Sequence, residues 1–262
     1  DRIVKTGWGG TGWTVFGASS GSFYYPRGIS YDPASGFAYV ADTSNNYLVK
    51  TKMDGTGWAT RSWEFRYPYG AFYDPGEDVV YTTDNQNDRI VKISMDGTIK
   101  ESIGSRGNRE TLSFKYPRAL TFDPATEYLY VADTENQRIV RTRIDGTGWQ
   151  SLGGPLNSSA QGMFNWPRGI DNNGDDRYVA DANNHRIVKT KIDGTGWTTY
   201  GSCCSNTAPA SVGKLYSPHG LHYEPGTDYL YIADTNAHRI VKTKIDGTGW
   251  QELGGPTSGT GV

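Results

Sequence analysis

The sequence predicts an all-β fold built from repeated four-stranded sheets, and three observations lead to this prediction. The thirteen residues HRIVKTKIDGTGW at 185–197 recur unchanged at 238–250, and four close variants stand earlier in the chain. Consecutive copies are 42 to 53 residues apart, a period typical of propeller blades. No stretch of useful length shows the apolar period of a helix. The first apolar residues of the copies are Ile3, Leu48, Ile90, Ile139, Ile187 and Ile240.

One unit, 116–153, shows how the four strands are read in order. RALTF is the first strand, and Asp123-Pro124 ends it because proline presets a turn and donates no hydrogen bond. YLYVAD is the second strand and RIVRTRI the third, with TENQ turning the chain between them. Asp145-Gly146 then predicts a tight hairpin into GWQSLG, the outermost strand.

The third strand predicts how these sheets pack. Ile187 and Val188 are neighbours in sequence, so both faces of that strand are apolar. A sheet stacked between two other sheets needs this pattern, and a closed ring of such sheets leaves no exposed edge. We therefore expect a single domain over 1–262 that forms a six-bladed β-propeller. The chain is expected to supply five full blades and, in 1–17, the outer half of a sixth. The alternatives are a five-bladed ring with an extra hairpin and closure of the ring by a neighbouring chain. The full blades are expected at 25–62, 67–104, 116–153, 166–201 and 217–254.

The segment FKYPRALTFDPATEYLYVADTENQRIVR resembles an NHL repeat, with its aromatic residue, Asp, YVAD, Asn and RI; the Pro-x-Gly pattern of the repeat stands in the other four blades and reads Pro-Arg-Ala here. The resemblance covers nearly the whole chain and implies an NHL-type six-bladed propeller. That family includes RNA-binding, sensor and structural domains and a peptide-amidating lyase, so the resemblance does not decide the function.

Composition and cysteine content limit the classes of partner and the compartment that the sequence predicts. A net charge of -2 and a pI of 6.1 give no overall attraction to nucleic acid, so nucleic acid is not expected as a partner. No apolar run approaches 18 residues, so no membrane span is expected. The only cysteines, Cys203 and Cys204, form either a vicinal disulfide or two free thiols. With the candidate glycosylation site Asn157 and the family's frequent use outside cells, they predict an extracellular protein.

The residue that follows the proline of each first strand, and precedes Gly in four blades and Ala119 in the third, is predicted to face a basic central funnel. Arginine forks match carboxylates and phosphates, so the set predicts an anion site. The alternative is that each Arg pairs with a nearby Asp or with carbonyl groups and only fills the channel. The set is Arg27, Tyr69, Arg118, Arg168 and His219.

A metal site is the weaker prediction. In the amidating lyases three histidines at this position bind a metal, and here only His219 matches. His222 lies on the same predicted strand, and the two histidines are expected to face one side as a candidate metal pair. No cofactor is expected, and calcium is the alternative. Two features suggest calcium: DNNGDDR at 171–177, which resembles a calcium-binding loop but which we assign to a turn, and the aspartates that end each second strand. Those aspartates are interpreted as bonding the backbone of their own turns; they are Asp42, Asp84, Asp133, Asp181 and Asp234.

Five tryptophans hold one equivalent place, and Ile99 fills it in the remaining unit. They predict either packing between outer strands or repeated sugar sites on the rim. The set is Trp13, Trp58, Trp149, Trp197 and Trp250.

The sequence as a whole predicts a non-enzymatic binding or scaffold module, extracellular and structural or adhesive, with a protein or glycan partner and a capacity to form oligomers or repeat arrays. A lectin-like propeller and a metal-dependent lyase or hydrolase are the alternatives.

Overall fold

The residues that the structure describes form five four-stranded antiparallel sheets, the arrangement of an all-β propeller. The structure is a computed structural model, and it describes residues 1–17, 23–106, 112–201 and 212–255. Each sheet is one blade, with its strands side by side in chain order. The bounds of blades 1 and 2 are Pro26–Tyr31 (β3), Phe37–Asp42 (β4), Tyr47–Lys52 (β5) and Ala59–Arg61 (β6), then Pro68–Asp74 (β7), Val79–Asp84 (β8), Arg89–Ser94 (β9) and Lys100–Ile103 (β10).

Blades 3 to 5 repeat this order. Their bounds are Pro117–Asp123 (β13), Tyr128–Asp133 (β14), Arg138–Thr142 (β15) and Gln150–Gly153 (β16); Pro167–Asn173 (β17), Asp176–Asp181 (β18), Arg186–Thr190 (β19) and Thr198–Tyr200 (β20); and Pro218–Glu224 (β21), Tyr229–Asp234 (β22), Arg239–Thr243 (β23) and Gln251–Gly254 (β24).

Two smaller sheets complete the described strands. The hairpin of Ile3–Lys5 (β1) and Thr14–Phe16 (β2) is antiparallel, and Ser105–Arg106 (β11) pairs in parallel with Ser113–Phe114 (β12). The expectation of six blades was therefore wrong for the described residues, which hold five four-stranded sheets and one two-stranded hairpin. The physical reason is that 1–17 supplies only the third and fourth strands of a unit, and no described strand pairs with the inner edge of β1.

The turns follow from short side-chain signals. The Asp-Gly turn between third and fourth strands is closed by the aspartate, whose Oδ1 accepts the N–H of the threonine two residues on; the distance is 2.8 Å from Thr56 to Asp54. Gly55 has φ +83°, which suits glycine. After each second strand comes one turn of 3₁₀-helix that ends on a left-handed residue. These turns span Thr43–Asn45, Asn85–Asn87, Thr134–Asn136, Ala182–Asn184 and Thr235–Ala237.

The core lies between neighbouring sheets. Ile187 and Val188 are both fully buried, which confirms that the third strand is apolar on its two faces. Aromatic rings join the sheets: Tyr39 of β4 stacks on Tyr73 of β7 with 4.0 Å between ring centroids, and Tyr178 of β18 stacks on Tyr223 of β21 at 4.7 Å.

The chain divides into two compact units. One holds Asp1–Leu129 and Thr142–Trp149, and the other holds Tyr130–Arg141 and Gln150–Val262. Within the described residues, no helix is both long and apolar enough to cross a lipid bilayer.

Candidate functional site

The aspartates that end the second strands are structural hubs. Asp181 is fully buried, and its carboxylate accepts the backbone N–H of Asn165 at 2.7 Å, the Asn184 amide at 2.9 Å and Arg186 Nε at 2.8 Å. Burial raises the pKa of Asp181, and these hydrogen bonds and the Arg186 charge oppose the rise. The expected bonds to the turn's own backbone are not the ones formed: no side-chain oxygen caps the 3₁₀ turns. In most blades the carboxylate is instead shared between an Asn three residues on, an Arg five residues on and a backbone N–H before the first strand. Blade 1 has Tyr47 in place of the Arg, and blade 5 has Ala237 in place of the Asn.

A second hydrogen bond ties each blade to the next at the left-handed residue that ends the 3₁₀ turn. Asn46 Oδ1 accepts the N–H of Tyr67 at 2.8 Å, and His185 Nδ1 accepts the N–H of Ser217 at 3.0 Å. The donor stands just before the proline of the next first strand and also has positive φ, 56° at Tyr67. This strained position is filled by an aromatic residue in four of the five blades: Tyr25, Tyr67, Tyr116 and Trp166.

In the first unit, three predicted funnel residues lie in one stack. The Arg27 and Arg118 guanidinium carbons lie 5.3 and 5.1 Å from the centroid of the Tyr69 ring, and Arg118 Nη1 donates to the Tyr69 hydroxyl at 3.2 Å. Cation–π contacts of this kind hold a guanidinium in place while leaving its N–H groups able to donate elsewhere. Among the described residues, no carboxylate forms an ion pair with Arg27, so the Arg–Asp pairing that would only fill the channel is not found there.

A cavity of about 360 Å³ opens beside this stack. Two hydroxyl residues and four tyrosines surround it, and Tyr24 and Tyr25 are 53% and 52% exposed. Thr43 Oγ1 donates to the Pro68 carbonyl at 2.7 Å, which fixes one wall. We name this the tyrosine–arginine site; its residues are Tyr24, Tyr25, Arg27, Thr43, Ser44, Tyr67 and Tyr69.

In the second unit the other two funnel residues form a pair. Arg168 Nη1 lies against both ring nitrogens of His219, 3.2 Å from Nδ1, and the Arg168 guanidinium also lies 5.8 Å from the Trp166 ring. His222 is exposed and its Nδ1 lies 3.0 Å from Asp171 Oδ2; this hydrogen bond raises the pKa of His222.

The two histidines stand three positions apart on β21, with a register shift between Pro218 and Leu221. Their contacts differ: Arg168 for His219 and Asp171 for His222. Within the described residues, no group of three His, Cys, Asp or Glu is placed to hold a metal ion. Segment 171–177 forms the end of β17, a turn and the start of β18, as assigned from the sequence.

Four of the five rim tryptophans are partly buried against a ring of the same unit. Trp58 lies 5.0 Å from Phe23, Trp149 5.2 Å from Phe114, Trp197 5.4 Å from Phe164 and Trp250 6.2 Å from Tyr200, between ring centroids. Of the two roles that the sequence allows, packing and sugar binding, these contacts correspond to packing. Trp13 is exposed.

Two predicted modification sites have different outcomes. Asn157 is exposed, which leaves it accessible to a glycan. Cys203 and Cys204 lie outside the described residues.

Sequence reasoning missed Tyr24, Tyr25 and Tyr67 as site residues. A signal was present, since an aromatic residue precedes the first-strand proline in four units. Nothing in the sequence distinguishes the exposed Tyr25 and Tyr67 from the partly buried Tyr116 and Trp166, because that difference depends on which side chains pack beside them.

The sequence matches no protein-family model and no curated protein. Solved structures match the fold. A crystal structure of a nidogen/laminin complex has a TM-score of 0.70 at 19% identity, covering 87% of this chain and 80% of that one. A streptogramin B lyase has a TM-score of 0.68 at 18% identity, covering 98% and 77%. A catalytically inactive virginiamycin B lyase from Staphylococcus aureus, with quinupristin, has a TM-score of 0.64 at 17% identity, covering 97% and 77%. At these identities the likeness establishes the propeller fold alone.

Proposed function

We propose that this chain is a non-catalytic binding propeller that recognises an acidic segment of a partner protein at the tyrosine–arginine site. One observation carries the proposal. Exposed tyrosine rings surround a cavity whose cation, Arg27, is held by the face of Tyr69 with no carboxylate paired to it among the described residues.

The residue types favour a protein ligand. Tyrosine offers a large surface, apolar at its ring and polar at its hydroxyl, and loses little rotamer entropy on binding. Tyrosine and arginine are also enriched where a few residues carry most of the binding free energy. A guanidinium beside such rings selects a carboxylate, since its planar fork can donate two parallel hydrogen bonds.

The cavity dimensions favour a side chain over a whole small molecule. About 360 Å³ is near the lower limit of pockets for drug-sized ligands, and the exposed rings of Tyr24, Tyr25 and Tyr67 extend the contact surface beyond the cavity. The nidogen/laminin structure, a complex of two proteins on a similar fold, is in keeping with a protein partner.

The NHL assignment and the extracellular location belong to the same proposal. The repeated hydrogen-bond network of Asp, Asn and Arg accounts physically for the YVAD, Asn and RI positions of the repeat. The exposed Asn157 supports an environment in which glycans are added. Peptide mapping of Asn157 in the protein purified from its source tests the location, and an unmodified asparagine with cytosolic recovery would contradict it.

Peptide titration tests the binding function. The probes are Ac-Gly-Asp-Glu-Tyr-Gly-amide and the same peptide with Lys-Arg in place of Asp-Glu, measured by isothermal titration calorimetry at low and moderate salt. We expect the acidic peptide to bind and the basic one to fail. Arg27→Met and Tyr67→Ala should each weaken binding at least tenfold.

Arg143→Met is the matched control. Arg143 lies over the Tyr128 ring at 4.2 Å in the same unit, outside the cavity, so binding should be unchanged. Equal binding of both peptides, or full binding by Arg27→Met, would overturn the proposal. Heat with simple sugars that Trp13→Ala abolishes would favour the lectin, and a loss of thermal stability with EDTA would favour a metal-dependent lyase or hydrolase.

A further inference from the structure

Three of the chain's four histidines make contacts between blade 4 and blade 5, and all three lie in the second compact unit. The first strands of these blades approach closely here, since a Cβ added at Gly169 of β17 would clash with the carbonyl oxygen of residue 219 in β21. Each histidine contacts a different group of the other blade. The three are His185, His219 and His222.

His185 binds the residue before β21 only while its Nδ1 carries no proton. This nitrogen accepts the backbone N–H of Ser217 at 3.0 Å. Burial lowers the pKa of His185, and the charge of Asp234 opposes this. The hydrogen bond is therefore complete above the unfolded pKa of about 6.5 and is lost as the pH falls below that value. Asn46 and Gln137 accept the equivalent N–H in other blades through side-chain amides, which do not titrate.

His219 contacts a permanent positive charge. Arg168 Nη1 of β17 lies against its ring, 3.2 Å from Nδ1, and Ser217 Oγ lies 3.4 Å from Nε2. Because arginine stays charged, a neutral imidazole can accept a hydrogen bond from it, whereas a protonated one is repelled. At the same position of blade 2, Tyr69 meets Arg27 through its ring face. Acid therefore weakens the contact of His219 with blade 4.

His222 responds to acid in the opposite sense. Its Nδ1 lies 3.0 Å from Oδ2 of Asp171 in β17, and Glu224 and Tyr231 are the other groups near its ring. The hydrogen bond to Asp171 raises the pKa of His222, so the ion pair is complete below the unfolded pKa of about 6.5 and is lost as the pH rises. The same Asp171 oxygen accepts the backbone N–H of Tyr223 at 2.9 Å. The second half of β21 therefore stays tied to blade 4 when the pH falls.

The segment that depends on neutral histidines has fixed ends. Before it, Asp234 Oδ1 accepts the backbone N–H of Tyr216 at 2.5 Å, and Arg239 holds the same carboxylate at 2.9 Å. After it, Tyr223 is bonded to Asp171. The pairing of β21 with β22 also shifts register within the segment, between Pro218 and Leu221. Acid thus acts on residues 217–220 and leaves both flanks in place.

We propose that residues 217–220 form an acid-released latch between blades 4 and 5. Protonation of His185 and His219 frees the start of β21 from blade 4, while the Asp234–Tyr216 bond and the His222–Asp171 pair hold the two flanks. A return to neutral pH closes the latch. The latch contains no residue of the tyrosine–arginine site and does not depend on the function proposed for that site.

Amide hydrogen exchange of the full chain tests the latch. Exchange is followed by NMR on isotope-labelled protein at pH 7.5 and 5.5 and corrected for the chemical exchange rate. A histidine with a pKa of about 6.5 is about 90% protonated at pH 5.5 once its contact is broken, so each histidine can lower protection by up to about tenfold. We therefore expect the protection of the Ser217 amide to fall about fivefold or more. The amides of Tyr223 and Tyr67, whose acceptors are Asp171 and Asn46, should change less than about twofold.

Matched variants assign the response to the two histidines. His185→Asn supplies an amide acceptor, as Asn46 does, and His219→Tyr supplies the ring that Tyr69 presents at the same position of blade 2. Each single change should reduce the effect of pH on the Ser217 amide, and the two together should abolish it. His238→Asn, at an exposed position, should leave the effect as in wild type.

Three results would overturn the proposal. The first is a change in Ser217 protection below about twofold between the two pH values. The second is an equal change in wild type and in the double variant. The third is an equal fall at Ser217, Tyr223 and Tyr67, because it would show that acid destabilises the chain as a whole and not this segment.

Discussion

The buried ion pair of blade 4 should be among the most sensitive points of the fold, and Arg186→Met tests this. The Arg186 side chain is 11% exposed and that of Asp181 0%, with 2.8 Å between Nε and Oδ2. The guanidinium also donates to the carbonyls of Ser159 at 2.7 Å and Met163 at 3.1 Å. Methionine keeps most of the apolar length of the side chain and removes every one of these donors.

The expected loss follows from burial. Removing one partner of a buried pair leaves an uncompensated charge and costs about 3–5 kcal/mol. For a chain of this size that corresponds to a fall in Tm of about 6–20 °C. Lys191→Met in the same blade is the control, since Lys191 and Asp175 are 46% and 87% exposed and 3.9 Å apart. An exposed pair of this kind contributes about 0–1 kcal/mol.

The penalty should depend on pH with a defined sign. Burial already raises the pKa of Asp181 above its unfolded value, and loss of Arg186 raises it further. An ionised Asp181 then destabilises the variant above the unfolded pKa, and protonation relieves this as the pH falls below the folded pKa. The difference in unfolding free energy between wild type and Arg186→Met should shrink from pH 7 to pH 5.

Urea unfolding followed by tryptophan fluorescence measures both effects. A loss below about 1 kcal/mol at pH 7 would refute the reasoning, because it would mean that the pair is worth no more than an exposed one. A loss that does not change with pH would show that Asp181 is not the destabilised group. Asp181→Asn combined with Arg186→Met should cost less than the sum of the two single changes.

Two further stability predictions use repeat positions as their own controls. Burial lowers the pKa of His185, and the charge of Asp234 partly offsets this. His185 Nδ1 must be neutral to accept the N–H of Ser217. The contribution of this hydrogen bond to the free energy of unfolding is therefore full above the unfolded pKa of about 6.5 and is lost as the pH falls below that value. In the His185→Asn variant the asparagine can accept the same N–H, as Asn46 does, so the unfolding free energy should fall less between pH 7.5 and 5.5. The control His238→Asn, at an exposed position, should not change this fall. Equal slopes in wild type and His185→Asn would contradict the prediction. Gly28→Ala would place a Cβ 2.5 Å from the Tyr69 carbonyl oxygen, so thermal unfolding should show a loss of about 1–3 kcal/mol. At the same repeat position Gly220→Ala meets only a Cβ at 3.7 Å, so it should change stability by less than about 0.5 kcal/mol, and equal losses in the two variants would count against overpacking as the cause.

Most of the fold could be predicted from the sequence because its signals are local and repeated. Asp54-Gly55 specifies a turn through one carboxylate and one positive φ, and the neighbouring apolar residues Ile187 and Val188 predict a strand covered on both faces. Both signals act within a few residues, so each unit folds by the same rule. The blade number was harder, because it depends on how many sheets pack together and not on how any one sheet forms.

The candidate site shows where sequence reasoning ends. Arg27 and Arg118 were both expected to face an anion, but their shared contact with the ring of Tyr69, which joins three separate strands, was not expected. Tyr25 and Tyr67 were not recognised, although they match Tyr116 in the repeat.

The sequence by itself determined the strands and the turns that recur along the chain, because these depend on contacts repeated at fixed spacing. Only the tertiary structure decided which copies remain uncovered. Leu120 and Ile29 hold the same place in the repeat, but Leu120 is covered and Ile29 is exposed. Exposure is a property of the neighbours that pack on a residue, and identical local sequences can have different neighbours.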